Sequence, residues 1–273
     1  MYLKTVKLTE ISNLVTGKEA TLSIYLCSES KEIPHRGRPA LLILPGGGYS
    51  FCSDREAEPV ALRFMSEGFN CFVLRYTCAK PYPLPQKEVA IAMKYIHDHH
   101  QQFNLRPFCT SIVGFSAGGH LAASYGLLYA HFAKEFKADE LILRPFSLVL
   151  SYPVITMKKY AHSGTAQVIT DNFKPDLVNL LSVEKNVTPI YPPTYIWTTK
   201  TDTCVPPENS LMLVEKFKKE NILHRFDLFD DGWHGGSLCN RGVYSEDIDI
   251  SHCHANQIWV NNAVDFIYSL LKH

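Results

Sequence analysis

The feature that most constrains this chain is a serine placed between two glycines. Gly114, Ser116 and Gly118 fit the pattern G-x-S-x-G. Residues 109–113 before them suit a buried strand, and residues 120–129 after them suit a helix. The backbone bends sharply at a serine in such a strand-to-helix turn. The residues two positions away on either side must therefore be small. We interpret Ser116 as a nucleophile at the end of a strand, the alternative being an incidental serine in a glycine-rich turn.

The rest of the chain alternates between short apolar stretches and helical patterns. Strands are predicted over residues 3–8, 20–27, 39–44, 70–76, 109–113, 146–151, 194–199 and 224–229. Helices are predicted over residues 54–67, 87–103, 120–129, 207–220 and 257–271. The pattern predicts an α/β fold with a mostly parallel central sheet and helices on both faces, in which the first strands are antiparallel.

Two stretches interrupt this alternation. Pro81, Pro83 and Pro85 predict a stiff, non-helical connector before the helix over 87–103. Residues 153–191 have no strong periodicity and predict a cap-like insertion over the sheet. No internal repeat or linker divides the chain, and 273 residues can bury one large core, so we expect a single domain over residues 1–273.

A serine hydroxyl is a poor nucleophile until a base takes its proton and a carboxylate orients that base. In this strand order the acid and then the histidine should follow the serine, in loops at the carboxyl ends of strands. Asp202 directly follows the predicted strand over 194–199, and His234 directly follows that over 224–229. We therefore predict a catalytic triad of Ser116, Asp202 and His234.

Three other acidic residues stand near the expected position of the acid: Glu208, Asp230 and Asp231. Glu208 falls inside the helix that begins at Pro207, and the two aspartates follow the last strand rather than the penultimate one. They remain rivals of Asp202.

The run Gly46-Gly47-Gly48 follows another predicted buried strand. Acyl transfer creates an oxyanion, and glycines allow backbone amides to turn towards it. We predict that the amides of Gly46, Gly47 and Ala117 form an oxyanion hole. A phosphate cradle is the alternative, but the run lacks the G-x-G-x-x-G spacing and the Lys-Ser/Thr of a phosphate-binding loop.

Bulky aromatic residues stand beside these motifs. Tyr49 and Trp233 are predicted to bind the substrate and, with Phe51, to crowd its acyl side. The alternative is that these aromatic rings face the core. The insertion over 153–191 has no long apolar run, so it could not line a deep apolar tunnel, and we expect a preference for acetyl to butyryl esters.

Histidines cluster in two places, at 97–100 and at 252–254. Either cluster could hold a metal, but no H-E-x-x-H motif occurs and cationic side chains are favoured at helix ends. We expect solvated helix ends, no metal site and no cofactor. His120, which follows the strand-to-helix turn at Ser116, is expected to pack or hydrogen-bond rather than to act as a second base.

Composition limits the partners. Lys and Arg together number 27, as do Asp and Glu, so no basic field favours nucleic acid or an anionic membrane. The N-terminus lacks an apolar stretch of signal-peptide length, and the eight cysteines lack C-x-x-C spacing. We expect free thiols, a cytoplasmic location and a small-molecule ester as the partner; whether the chain forms a homodimer stays open.

Several segments together resemble a known family. They are 45–49 (PGGGY), 114–122 (GFSAGGHLA), 151–154 (SYPV), 192–197 (PPTYIW) and 232–235 (GWHG). These motifs are similar to those of the α/β-hydrolase esterases, in particular the bacterial acetyl esterase, acetylxylan esterase and feruloyl-esterase-like enzymes, and the resemblance covers roughly residues 20–270. Pro45 stands where many relatives have histidine, but the glycines are kept.

The resemblance implies an α/β-hydrolase fold, with Ser116 as nucleophile and Asp202 and His234 as its partners. It also implies that the chain is a serine carboxylic-ester hydrolase acting on short-acyl esters, with acetylated sugars as candidate substrates. Two alternatives remain: a serine peptidase or amidase on the same fold, and a catalytically inactive binding protein.

Overall fold

A sheet of eight strands forms the centre of the computed structural model, which describes residues 1–14, 17–33 and 37–272. Its strands are β1 (Tyr2–Lys7), β2 (Thr21–Leu26), β3 (Arg38–Leu44), β4 (Asn70–Arg75), β5 (Leu105–Phe115), β6 (Leu148–Ser151), β7 (Thr194–Thr199) and β8 (His224–Phe229). They lie in the order β1-β2-β4-β3-β5-β6-β7-β8. The polar segment over residues 31–38, in which Pro34 and Gly37 predict a loop, lies partly outside the described residues.

Helices connect most of these strands. The described helices are α1 (Leu8–Ile11), α2 (Glu58–Met65), α3 (Leu84–Asp98), α4 (Ala117–Phe136), α5 (Glu140–Leu143), α6 (Ser163–Ile169), α7 (Pro175–Leu181), α8 (Val183–Asn186), α9 (Glu208–Glu220), α10 (Ser251–His254) and α11 (Ile258–Leu270). The four-residue helices α1, α5, α8 and α10 were not predicted, because a single turn is too brief to show periodicity.

The sheet is antiparallel at one edge and parallel elsewhere. β1 pairs with β2, and β2 with β4, in antiparallel register. From β4 through β3, β5, β6 and β7 to β8 every pairing is parallel. The predicted α/β fold, with a mostly parallel sheet and antiparallel early strands, is confirmed.

Side chains of β3 show how the sheet divides the core. Leu42 and Leu44 belong to a cluster that includes apolar residues of α3, α4 and α9. Leu41 and Ile43 point the other way, into a cluster that includes residues of α2 and α11. Because a central parallel strand is covered by helices on both faces, its sequence is an uninterrupted apolar run, as predicted for residues 39–44.

The proline-rich connector differs from the prediction. α3 begins at Leu84, with Pro83 at its N-cap and Pro85 in its first turn. The amides of a first helical turn have no intrahelical partner, so a proline there loses no hydrogen bond. The prediction that Pro85 lies outside a helix was therefore wrong.

Residues 153–191 join β6 to β7 and contain α6, α7 and α8. Several apolar side chains of this segment, including Ile155, Ile169 and Leu181, are buried in the core. The segment is thus packed against the core of the protein. Its role as a cap stays a prediction.

Two further observations concern the cysteines and the helices. All eight cysteines are free thiols. No helix among the described residues combines the length and the apolar character needed to cross a bilayer.

Candidate active site

The parallel strands β3, β5, β7 and β8 all end at one edge of the sheet. The glycine run follows β3, Ser116 follows β5, Asp202 follows β7 and His234 follows β8. The topology therefore brings four segments that are far apart in sequence to one place, as is usual for sites in open α/β sheets.

Ser116 occupies the turn between β5 and α4, with φ 53° and ψ −115°. This strained conformation is held by backbone hydrogen bonds: the Ser116 amide donates to the Ser151 carbonyl, and its own carbonyl accepts from Val154. A Cβ at Gly118 would lie 2.1 Å from the Leu44 carbonyl oxygen, and one at Gly114 would lie 2.2 Å from the Gly118 carbonyl oxygen. Only glycine fits at either position.

His234 lies between Ser116 and Asp202. Its Nε2 is 2.7 Å from Ser116 Oγ, and its Nδ1 is 2.7 Å from Asp202 Oδ2. A carboxylate only accepts, so Nδ1 carries the proton and Nε2 is left to accept from the serine hydroxyl. The structure thus brings together the three residues named from the sequence, in the arrangement that general-base activation of a serine requires.

Asp202 is held in place by its own loop. Its side chain is 1% exposed, and Oδ1 accepts hydrogen bonds from the amides of Cys204 (3.0 Å) and Val205 (2.9 Å). Asp230 and Asp231 are exposed and bond instead to Lys200 and His252. The structure places neither of these two next to His234.

The glycine run after β3 supplies backbone amides to the same place. The amides of Gly47, Gly48 and Ala117 have no hydrogen-bond partner within the described part of the chain. Gly47 has φ +126°, a conformation that a residue with a side chain rarely adopts. These amides are the available donors for an oxyanion.

Gly46 does not belong to this set, which corrects the sequence prediction. Its amide donates to Glu56 Oε2 over 2.8 Å. An amide carries one hydrogen, so this bond leaves nothing for a substrate oxygen.

Glu56 itself was missed by the sequence analysis. Its carboxylate is fully buried; besides Gly46 it accepts from the Tyr152 hydroxyl at 2.7 Å, and that hydroxyl accepts from the Ser237 amide at 2.9 Å. Burial raises the pKa of Glu56, opposed in part by the hydrogen bond from Tyr152. The Tyr152 ring also packs edge-on against His234, with centroids 5.1 Å apart. No local pattern in the sequence signals these contacts.

The predicted substrate-binding aromatics lie elsewhere. Tyr49 has no exposed surface, and its hydroxyl is 2.9 Å from His120 Nδ1. This corrects the prediction, since a side chain without exposed surface cannot contact a bound ester. Trp233 donates to the Tyr244 hydroxyl and is not among the residues that line the cleft. Phe51, in contrast, is 61% exposed and lines the cleft.

The cleft in front of Ser116 has a volume of about 360 Å³. Besides Ser116, His234 and the glycine loop, the cleft is lined mainly by polar or small residues: Ser50, Ser53, Arg55, Glu56, His162, Gly164, Cys204 and Gly235. His162 and Arg55 were not singled out from the sequence, because only the fold brings them to this cleft.

Several other histidines have partners that explain them. His120 is fully buried, its Nε2 lies 2.9 Å from the Leu181 carbonyl oxygen, and burial lowers its pKa to about 4. It is a hydrogen-bonded core residue, which confirms the prediction. His97 stacks on His100, and His252 pairs with Asp231. Within the described residues, no three potential ligands converge as a metal site would require.

Comparison with known proteins gives a consistent result. The BD-FAE family model matches residues 22–217. Endo-1,4-beta-xylanase B of Butyrivibrio fibrisolvens is 33% identical over 218 residues, which are 76% of this chain but only 34% of that protein. The chain therefore spans about a third of this relative's length.

Solved structures match along almost the whole chain. An acetyl ester-xyloside bifunctional hydrolase from Caldicellulosiruptor lactoaceticus has a TM-score of 0.81 and 28% identity, covering 98% of this chain and 96% of its own. The carboxylesterase Cest-2923 from Lactobacillus plantarum WCFS1 has a TM-score of 0.85 and 25% identity, covering 98% of each chain.

Proposed function

The chain belongs to the BD-FAE family of α/β-hydrolases, and from its site we propose that it is a serine carboxylic-ester hydrolase that cleaves short-acyl esters, with acetylated sugars as candidate substrates. The observation that carries the proposal is the relay Asp202–His234–Ser116, with two contacts of 2.7 Å, beside three amides that have no partner among the described residues. A serine, a base, an orienting acid and oxyanion donors are the parts that acyl transfer needs.

The reaction proceeds in two halves. His234 Nε2 takes the hydroxyl proton of Ser116 as Oγ attacks the ester carbonyl, and the imidazolium that forms is stabilised by Asp202. The tetrahedral oxyanion accepts hydrogen bonds from the amides of Gly47, Gly48 and Ala117. His234 then gives its proton to the departing alcohol, which leaves an acyl ester on Ser116.

Water completes the cycle. His234 takes a proton from a water molecule that attacks the acyl-enzyme, and returns this proton to Ser116 Oγ as the acid leaves. No step requires a metal or a cofactor.

Size and lining of the cleft support short acyl groups. Phe51 is the large apolar side chain along a cleft of about 360 Å³, and the other lining residues are mostly small or polar. A long acyl chain gains about 0.8 kcal/mol per methylene only where apolar surface buries it. The name of the Caldicellulosiruptor neighbour, an acetyl ester-xyloside hydrolase, supports acetylated sugars as the substrate class.

The decisive experiment is labelling with a fluorophosphonate probe, combined with the release of p-nitrophenol from p-nitrophenyl acetate. We expect the probe to label the wild type and the control Ser163→Ala, whose serine is exposed on α6, but not Ser116→Ala. An unlabelled, inactive wild type would favour the binding-protein alternative. Faster hydrolysis of p-nitroacetanilide than of p-nitrophenyl acetate would favour the amidase.

A further inference from the structure

One wall of the cleft is formed by a histidine that the proposed chemistry does not use. His162 precedes α6 and lines the same cleft as Ser116 and His234. Its ring lies beside the glycine loop, since a Cβ built on Gly48 would be 3.6 Å from His162 Cε1. The His162 side chain therefore borders the cleft in front of Ser116.

The hydrogen bonds of His162 fix which nitrogen carries its proton. The Thr165 amide donates to His162 Nδ1 over 3.2 Å, and Thr165 Oγ1 lies 2.9 Å from the same nitrogen. An amide can donate only to an unprotonated nitrogen, so the proton of the neutral ring is on Nε2. Burial, and secondly the neighbouring His234, lowers the pKa of His162, which favours the neutral ring.

His162 Nε2–H is consequently a donor of fixed orientation. It has no hydrogen-bond partner among the residues that the structure describes. A donor held in this way in a cleft can bind an acceptor oxygen of a ligand.

A second donor belongs to the His234 side of the cleft. The Arg55 guanidinium stacks on the Tyr244 ring, 5.3 Å from its centroid, and a Cβ built on Gly235 would be 3.7 Å from Arg55 Nη2. Within the described residues Arg55 has no carboxylate in ion-pair distance. A contact with the face of an aromatic ring favours this position of the guanidinium and leaves its N–H groups available to oxygen atoms.

We propose that His162 and Arg55 form a sugar-binding subsite, in which His162 Nε2–H and the Arg55 guanidinium donate to hydroxyl or ring oxygens of an acetylated sugar. The inference rests on the proposed function and names the residues that give it its substrate class. With two donors beside the nucleophile, the site can distinguish an ester whose alcohol part has several further oxygen atoms from one that has no oxygen beyond the ester group.

A matched pair of acetates tests this. Methyl mono-O-acetyl-β-D-xylopyranoside and cyclohexyl acetate both present an acetyl group on a six-membered ring, but only the first has further oxygens. kcat/KM is measured for each from acetate release, and the ratio of the two values reports recognition of the sugar oxygens. The variants are His162→Asn, which keeps an acceptor for the helix terminus but has a shorter reach, and Arg55→Met.

We expect each variant to lower this ratio by about fivefold, the effect of one lost hydrogen bond, and the double variant to lower it further. Lys159→Met is the matched control, because Lys159 also stacks on an aromatic ring, that of Tyr160, but does not line the cleft. The control should leave the ratio unchanged.

Equal losses on both acetates would overturn the subsite, since they would show that His162 and Arg55 merely support the catalytic loops. Unchanged kcat/KM values on both acetates would overturn it as well. A wild type that is active on cyclohexyl acetate but not on the xyloside would reject the subsite and leave the esterase intact. Inactivity on every ester would reject the proposed function itself and the subsite with it.

Discussion

Glu56 accepts a hydrogen bond from the Gly46 amide over 2.8 Å, so a buried carboxylate holds the start of the loop that presents the candidate oxyanion donors. The other oxygen of Glu56 accepts from Tyr152, whose hydroxyl accepts in turn from the Ser237 amide, three residues after His234. One carboxylate thus connects the glycine loop with the loop that carries the candidate base.

This relationship makes Glu56 a positioning residue. In Glu56→Gln an amide N–H₂ replaces one acceptor oxygen. Either the Gly46 amide then loses its acceptor, or the Tyr152 hydroxyl, which donates in the wild type, must accept instead. We expect kcat for p-nitrophenyl acetate to fall by about 10- to 100-fold with a much smaller change in KM, because oxyanion donors act mainly on the transition state. The matched control is Glu58→Gln, whose carboxylate bonds to Tyr25. An equal effect of both substitutions would contradict the assignment.

The carboxyl group of Glu56 should also affect how the free energy of unfolding depends on pH. Burial raises the pKa of Glu56 above that of the unfolded chain, where a glutamate has a pKa of about 4.3. Between these two pKa values the folded state binds more protons than the unfolded state, so the free energy of unfolding decreases as the pH rises through this window.

Urea denaturation of the wild type and of Glu56→Gln, from about pH 4 to pH 8, measures this effect. We expect the wild-type free energy of unfolding to decrease relative to that of the variant as the pH rises above the ordinary glutamate pKa. If the wild-type free energy of unfolding instead increased relative to that of the variant as the pH rises, hydrogen bonding would outweigh burial and the pKa of Glu56 would be lowered.

Ser116→Ala should abolish turnover and leave the fold intact. The Ser116 hydroxyl bonds to His234, and the backbone contacts of the turn do not involve the side chain. We expect hydrolysis of p-nitrophenyl acetate to fall by several orders of magnitude, because members of a triad act as a unit, with an unchanged circular-dichroism spectrum. Near-normal hydrolysis by the folded, purified variant would show that Ser116 is not the nucleophile.

Asp202→Asn should inactivate far more than Asp230→Asn. An asparagine at 202 can present its N–H₂ to His234 Nδ1, which favours the wrong tautomer and, in serine proteases, costs about 10⁴-fold in kcat. Asp230 has a side chain that is 89% exposed and pairs with Lys200, so its substitution should change kcat less than about twofold. A larger loss in Asp230→Asn would place the acid on the loop after β8.

Acyl length provides a further test. We expect kcat/KM for p-nitrophenyl esters, measured below micellar concentrations, to be highest between acetate and butyrate and to fall towards dodecanoate. The cleft has one large apolar side chain, Phe51, to bury added methylenes. Values that keep rising beyond octanoate would reveal an apolar acyl pocket and contradict the short-acyl proposal.

Several features of this protein could be read from local sequence. The apolar run at β3 and the small residues around Ser116 are local requirements of a doubly covered strand and a tight turn. Ser116, Asp202 and His234 follow the parallel strands β5, β7 and β8, and parallel topology explains why they meet, because the carboxyl ends of those strands share one edge of the sheet. Choosing Asp202 over Asp230 depended only on which strand each residue follows.

Tertiary structure alone decided the rest. Tyr49 is adjacent to the glycine loop in sequence, yet it turns into the core and pairs with His120. Gly46 and Gly47 are adjacent glycines that the sequence does not distinguish. Only the structure shows that the Gly46 amide donates to the buried carboxylate of Glu56 and is therefore not available to an oxyanion. His162 and Arg55 are separated by more than a hundred residues and reach the same cleft through different loops. Local sequence determines which backbone turns can form, whereas the partner of a buried polar group depends on which distant segments the folded sheet brings next to it.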